Sequence, residues 1–170
     1  MSHTLEITVL SAEDLRINRK QVKKNVFVCL QSPESGRPGE TWTTRMESEG
    51  GSHPKWNEKL EMEVPVHARF ITAEVKEKSA MGCVTSIGMA RIPVSDFMGG
   101  YVPQNQVHFL SYRLWDRKCR KNGVINVSVR VKVSEHCFTV EGVPVGNANS
   151  DCSGVVRGIP VWLNKYPAKL

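Results

Sequence analysis

Apolar and polar residues alternate along most of the first 133 positions. Leu5, Ile7 and Val9 recur at every second residue, as do Val26, Val28 and Leu30, then Leu60, Met62 and Val64, and then Ile71, Ala73 and Val75; the last such run is Val127, Val129, Val131 and Val133. A period of two places successive side chains on opposite faces of a pleated strand, so each run predicts a β-strand with one buried face. Turn formers separate the runs: SPESGRPGE at 32–40, EGGSHP at 49–54, VPVHA at 64–68, MGG at 98–100 and KNG at 121–123. Strands are therefore predicted near 4–10, 25–31, 41–46, 58–64, 69–77, 86–92, 106–115 and 123–133. Eight short strands at this spacing predict an all-β, antiparallel sandwich or barrel. One short helical turn is predicted at SDFMGG, with Ser95 as its cap and two glycines to stop it. From 134 to 170 the alternation gives way to Gly, Asn, Ser and Pro, which predicts a flexible C-terminal tail. Within it, GIPVW carries Trp162, an aromatic suited to anchoring in a pocket of this domain or of a partner.

Composition narrows the class without choosing a function. A chain of 170 residues supports one domain with a sizeable core, 1–133, and the tail 134–170 beside it. Its apolar runs fall short of the roughly 18 residues that a membrane-spanning helix requires. The polar start MSHTLEIT has no signal-peptide core, so a cytoplasmic protein is expected. The five cysteines are scattered with no CxxC pair, which favours reduced thiols over a disulfide framework or a zinc site. A formal charge of +6 suits nucleic acid, anionic lipid or an acidic protein.

The location of the charge discriminates among these. In an antiparallel sandwich the first, third, fifth and seventh connections share one end. The first carries Arg16, Arg19, Lys20, Lys23 and Lys24 with no acid inside 16–24, and the seventh carries Arg117, Lys118, Arg120 and Lys121 against Asp116. With Lys55 and Lys78 set against Glu47 and Glu49, this end sums to +8, whereas the other end, Arg37 and Arg69 against Glu34, Glu40 and Asp96, sums to −1. Near an anionic leaflet each Lys or Arg contributes on the order of 1 kcal/mol. The fifth connection adds an apolar tip, Ala80, Met81, Cys83 and Val84, suited to entering the headgroup layer. Arg16, Arg19, Lys20, Lys23, Lys24, Met81, Arg117, Lys118, Arg120 and Lys121 are thus the candidate lipid-binding residues. In the alternative reading these loops are simply solvated and Met81 packs inward.

SHPKWNEKLEMEV at 52–64 resembles the stretch that enters the fourth strand of a C2 domain, with His53 in place of the usual first Asn and with Pro54, Trp56, Asn57 and Glu58 in agreement. LEITVLSAEDL, NVFVCL, FITAEVKE and SIGMARIPVSDF resemble the flanking C2 strands in the same order over residues 4–133. LEITVLSAEDLRINRKQVKKNVF, DFMGGYVP, HFLSYRLWD and GIPVW further resemble a plant group of small C2 proteins that associate with copines of the BONZAI type. The resemblance implies an eight-stranded C2 sandwich peripheral to the plasma membrane, a copine-like partner, and a negative role in defence responses and cell death. It also implies positions for a calcium site, which here hold Asn18, Asn25, Glu77, Ser79 and Thr85. Calcium needs six to eight oxygen ligands, several of them carboxylate, and only Glu77 is an acid. Calcium-independent binding without a cofactor is therefore expected, the alternative being a weak site completed by lipid phosphates.

Other classes fit less well. His3, His53, His67, His108 and His136 are dispersed, and no GxSxG, HExxH or phosphate-cradling glycine loop accompanies them, so neither catalysis nor a small-molecule substrate is expected. A nucleic-acid reading would use the basic end with Trp115 as a stacking surface, yet Trp115 closes a strand where a core aromatic is expected, and no nucleic-acid partner is expected. A protein-interaction module without lipid binding is the other alternative. Trp42 and Trp56 are expected in the core or on a strand face. The terminal AKL resembles the peroxisomal address SKL and leaves that compartment as a second localisation.

Overall fold

The computed structural model describes residues 2–23, 25–32, 41–100, 102–103 and 105–132. Lys24, Trp162, the 134–170 segment and the terminal AKL lie outside the described residues, as do the expectations attached to them.

Ten strands form among the described residues: β1 (Ser2–Glu13), β2 (Arg16–Ile17), β3 (Lys20–Gln21), β4 (Val26–Gln31), β5 (Thr41–Thr43), β6 (Lys55–Pro65), β7 (Phe70–Lys78), β8 (Val84–Pro93), β9 (Val107–Trp115) and β10 (Lys121–Val131). β2 and β3 make a small hairpin of their own; the other eight run in the order β5-β4-β7-β8-β9-β10-β1-β6. Every pairing is antiparallel, and β8 meets β9 at the single pair Met89↔Trp115. That seam divides the sheet into two four-stranded halves, β5-β4-β7-β8 and β9-β10-β1-β6, as the eight-stranded sandwich requires. The alternating residues meet in one core: Leu5, Ile7 and Val9 from β1, Val28 and Leu30 from β4, Ile71, Ala73 and Val75 from β7, and Ile125, Val127 and Val129 from β10 are fully buried together. Removing that apolar area from water is the main force holding the two halves face to face.

Four local expectations change. The strand expected at 41–46 is regular only to Thr43, because the Thr44 hydroxyl takes the Val28 N–H (2.9 Å) that a ladder carbonyl would otherwise accept. The strand expected from 58 begins at Lys55, with a register shift opposite Val9/Ser11 and Asn57 at φ 48, the features of a bulge. Ser95 does not cap a helix: it lies inside a 3-10 turn, Val94–Asp96, that follows Pro93 and has no side-chain cap. KNG at 121–123 is not a turn but the start of β10. The true turn is Asp116–Arg120, closed by Asp116 N–H to Arg120 O at 2.9 Å.

Candidate functional site

Because the eight main strands alternate in direction, the first, third, fifth and seventh connections share one end, and backbone bonds tie them together. Leu15 N–H donates to Ser52 O (3.1 Å), joining the first and third, and Lys78 N–H donates to Asn25 O (3.0 Å), joining the first and fifth. Asn122 joins the first and seventh: its Oδ1 accepts the Arg16 N–H (3.1 Å), and its Nδ2 donates to Arg16 O (2.7 Å) and to Ile87 O (2.6 Å).

The first connection is a built hairpin rather than an open loop. Asn18 and Arg19 form its two-residue turn, both at positive φ (51 and 68), the backbone of a type I′ turn in which Asn is favoured. Leu15 and Val22 are buried beneath it, so the hairpin is anchored by apolar contacts at its base while Arg16, Arg19, Lys20 and Lys23 remain exposed. No acid lies inside 16–24, but one just ahead of it reaches Arg16. Asp14, two residues ahead, accepts from Arg16 Nε (3.0 Å) and Nη2 (2.9 Å).

The seventh connection has the same logic. Asp116 accepts the Lys118 and Arg120 backbone N–H groups (2.8 and 2.9 Å) and pairs with the Arg120 guanidinium at 2.7 Å. The Arg120 backbone N–H, then its side chain, hold the Asp116 carboxyl below its ordinary range. Arg117 and Lys118 make no ion pair among the described residues, nor do Arg19, Lys20 or Lys23. A 300 Å³ cleft brings Arg16, Arg117, Lys118 and Arg120 together beside Asn18 and Thr85, and a smaller one of 190 Å³ adds Arg19 and Lys121. Lys20, Lys23 and Met81 stand outside both.

Met81 does not pack inward. It is 94% exposed at the tip of the 79–83 turn, which Ser79 N–H to Cys83 O (2.8 Å) closes, and Val84 beside it is also exposed.

Of the five calcium positions only Glu77 offers a carboxylate, fewer than the several that the ion takes. Asn25 Oδ1 is occupied by the Ser48 hydroxyl (3.3 Å), Ser79 Oγ by the Cys83 N–H (3.1 Å), and Asn18 sits at a hairpin tip between cations. The nearby carboxylates, Asp14 and Asp116, are engaged by arginines. Among the described residues no three His, Cys, Asp or Glu side chains converge.

Sequence reasoning missed two residues and misplaced a third. Asn122 reads as a turn residue, yet it is the clamp between loops that lie 106 residues apart. Gly123 has φ 84, and a Cβ there would lie 2.3 Å from Glu13 O, so it admits the close approach of β10 to the end of β1. The KNG triplet was the available signal for both. Trp115 is not a core aromatic: it is 45% exposed, because the odd-numbered positions of β9 face outward and Leu114 takes the buried place beside it. Trp56 is buried, with its indole N–H on Val26 O at 3.2 Å, and Trp42 packs against the core edge, both as expected.

Comparison with known proteins identifies this architecture. The family model of the C2 domain matches residues 3–114. The chain is 42% identical over 132 residues to BON1-associated protein 2 of Arabidopsis thaliana, an alignment that covers 76% of this chain and 61% of that relative. Among solved structures, a C2 domain of a plant extended synaptotagmin 1 superposes with a TM-score of 0.63 at 17% identity, over 76% of this chain and 94% of that one. A C2 domain-containing protein from a putative elicitor-responsive gene gives 0.61 at 20% identity, over 81% and 96%. The two structures speak for the fold, and with the C2 model extending over most of the alternating strands, the chain belongs to the C2-domain family.

Proposed function

We propose that this protein is a calcium-independent, membrane-docking adaptor that engages anionic phospholipid through its cationic loop end and carries a copine-like protein partner. One observation carries the reading: exposed cations of the first and seventh connections flank a single end, beside Met81 at the tip of the fifth. Their two nearest acids are already neutralised by Arg16 and Arg120, so Arg19, Lys20, Lys23, Arg117 and Lys118 remain for lipid phosphates. The same cations repel a divalent ion, which supports docking without calcium. Similarity to a relative named for its association with BON1 supports the protein partner. A peripheral position on the cytoplasmic face of the plasma membrane, a restraining role in plant defence and cell death, and the absence of catalysis belong to this proposal.

The test is sedimentation with phosphatidylserine vesicles in calcium and in chelator, at two salt concentrations. Binding that survives chelation and weakens with salt supports the reading. Binding that appears only with calcium refutes the calcium-independent docking, and no binding at all leaves a protein-interaction module.

A further inference from the structure

The exposed Trp115 lies at the seam where the two halves of the sandwich meet. Its backbone pairs with Met89, and its indole, the Met89 thioether, Tyr112 and three guanidiniums, Arg91, Arg113 and Arg117, line a groove of 490 Å³. This groove adjoins the cationic cleft of the loop end and shares Ser86, Asp116 and Arg117 with it.

The groove also contains two acids, but neither leaves a free charge. Glu74 pairs with Lys76 at 3.0 Å, and Asp116 with Arg120 at 2.7 Å. The arginines are less committed. Arg91 Cζ lies over the Phe70 ring, 4.7 Å from its centroid, and Arg91 makes no ion pair among the described residues. Arg113 reaches Gly123 O at 3.5 Å, the long limit of a hydrogen bond, and Arg117 has no ion pair among the described residues. The groove is therefore an apolar floor, with Trp115 45% and Met89 42% exposed, under an unpaired positive rim. Trp, Tyr, Met and Arg are the residue types that concentrate binding energy at protein interfaces, and the described residues of this lining include no Lys.

We propose that this groove is a docking site for an acidic peptide segment of a partner protein, with one aromatic or long aliphatic side chain of the peptide seated between Trp115 and Met89 and its carboxylates on Arg91, Arg113 and Arg117. The site deepens the protein-binding half of the adaptor reading and rests on it; lipid docking at the loop end shares Arg117 with it but draws also on Arg19, Lys20, Lys23 and Lys118. Charge complementarity selects the sign of the ligand. Hydrogen-bond chemistry selects its class. A phosphodiester backbone offers acceptors alone, and the walls hold a carboxylate acceptor at Glu74, whose Oε2 pairs with Lys76, as well as arginine donors. A peptide has N–H donors for the former and carboxylates for the latter. A bilayer is too broad to enter a concave groove, and the serine or inositol phosphate headgroup of an anionic lipid has no apolar side chain for the Trp115–Met89 floor.

The experiment uses the full chain and a fluorescein-labelled peptide of Asp and Glu with a central Phe, read by anisotropy. Two control peptides carry Ser for the Phe or Lys for the acids. The wild-type protein is expected to bind the acidic Phe peptide and to bind both controls at least tenfold more weakly. Trp115→Ala and, separately, Arg91→Gln/Arg113→Gln should each weaken binding about tenfold or more, with Trp115→Phe restoring most of it. Melting curves of each variant verify the fold. Vesicle binding by Trp115→Ala should match wild type. Three results would each overturn the site: no preference among the peptides, binding unchanged by these substitutions, or displacement of the peptide by oligonucleotide or phosphoinositide vesicles at lower concentration than by unlabelled peptide. Loss of vesicle binding in Trp115→Ala would assign the groove to the membrane instead. Peptide failure with intact vesicle binding rejects this inference and leaves the lipid reading standing.

Discussion

Substituting Arg19→Asn, Lys20→Gln and Lys23→Gln together is the most direct perturbation of the loop end. The three residues are exposed and make no ion pair among the described residues, so their removal breaks no contact that holds the domain together. Asn is chosen at position 19 because the backbone there has φ 68, which Asn tolerates. At about 1 kcal/mol per cation near an anionic leaflet, the triple change removes roughly 3 kcal/mol, or about a hundredfold in partition coefficient at low salt. The Debye length falls from roughly 10 Å at 0.1 M salt to about 3 Å at 1 M, so the wild-type advantage should shrink steeply between those conditions. Co-sedimentation with phosphatidylserine vesicles reads both effects, and thermal melting should move by no more than a few degrees, since exposed charges contribute about 0–1 kcal/mol each. Equal vesicle affinity of variant and wild type at low salt, with the same salt dependence, would refute the electrostatic docking surface.

Replacing Met81 with Ser should lower vesicle affinity by about ten- to a hundredfold without altering the salt dependence, because burying a Met side chain is worth roughly 1.5–3 kcal/mol and carries no charge; tip insertion is read by fluorescence of an environment-sensitive dye at that position. Asn122→Ala strands the Arg16 N–H and two carbonyls, at a cost of about 2–3 kcal/mol, and should lower Tm by roughly 10 °C in a calorimetric scan. The Asp116 carboxyl titrates below its ordinary 3.8 in the folded protein, so its contribution to stability is present above that value and is lost as pH falls through the lower folded value. A stability profile through the acid range should therefore flatten in Asp116→Asn, and an unchanged acid limb would remove Asp116 as its source.

Much of this molecule is written in the period of two. Leu5, Ile7 and Val9, or Ile71, Ala73 and Val75, announce their buried face because each polar neighbour faces out, and strand alternation alone assigned the cations to one end. What alternation cannot express is a contact between loops distant in sequence. The Asn122 bonds to Arg16 and Ile87 depend on how distant parts of the chain come together, and no local pattern encodes them. Trp115 was misjudged for a related reason: an aromatic at a strand end is buried or exposed according to the parity of that strand, and HFLSYRLW carries apolar residues on both faces, with Phe109 74% exposed and Leu114 fully buried.

Asn122 has one more consequence, for timing. It lies at the start of β10, which sits between β9 and β1 in its half of the sandwich, so β1 waits for β10 before it gains one of its two neighbours. A chain emerging from the ribosome holds the basic hairpin long before the residue that fastens it, and closing so long a loop is slow relative to local pairing. The cationic surface is thus assembled last, and a nascent or truncated product lacking β10 presents its charges without the geometry to use them.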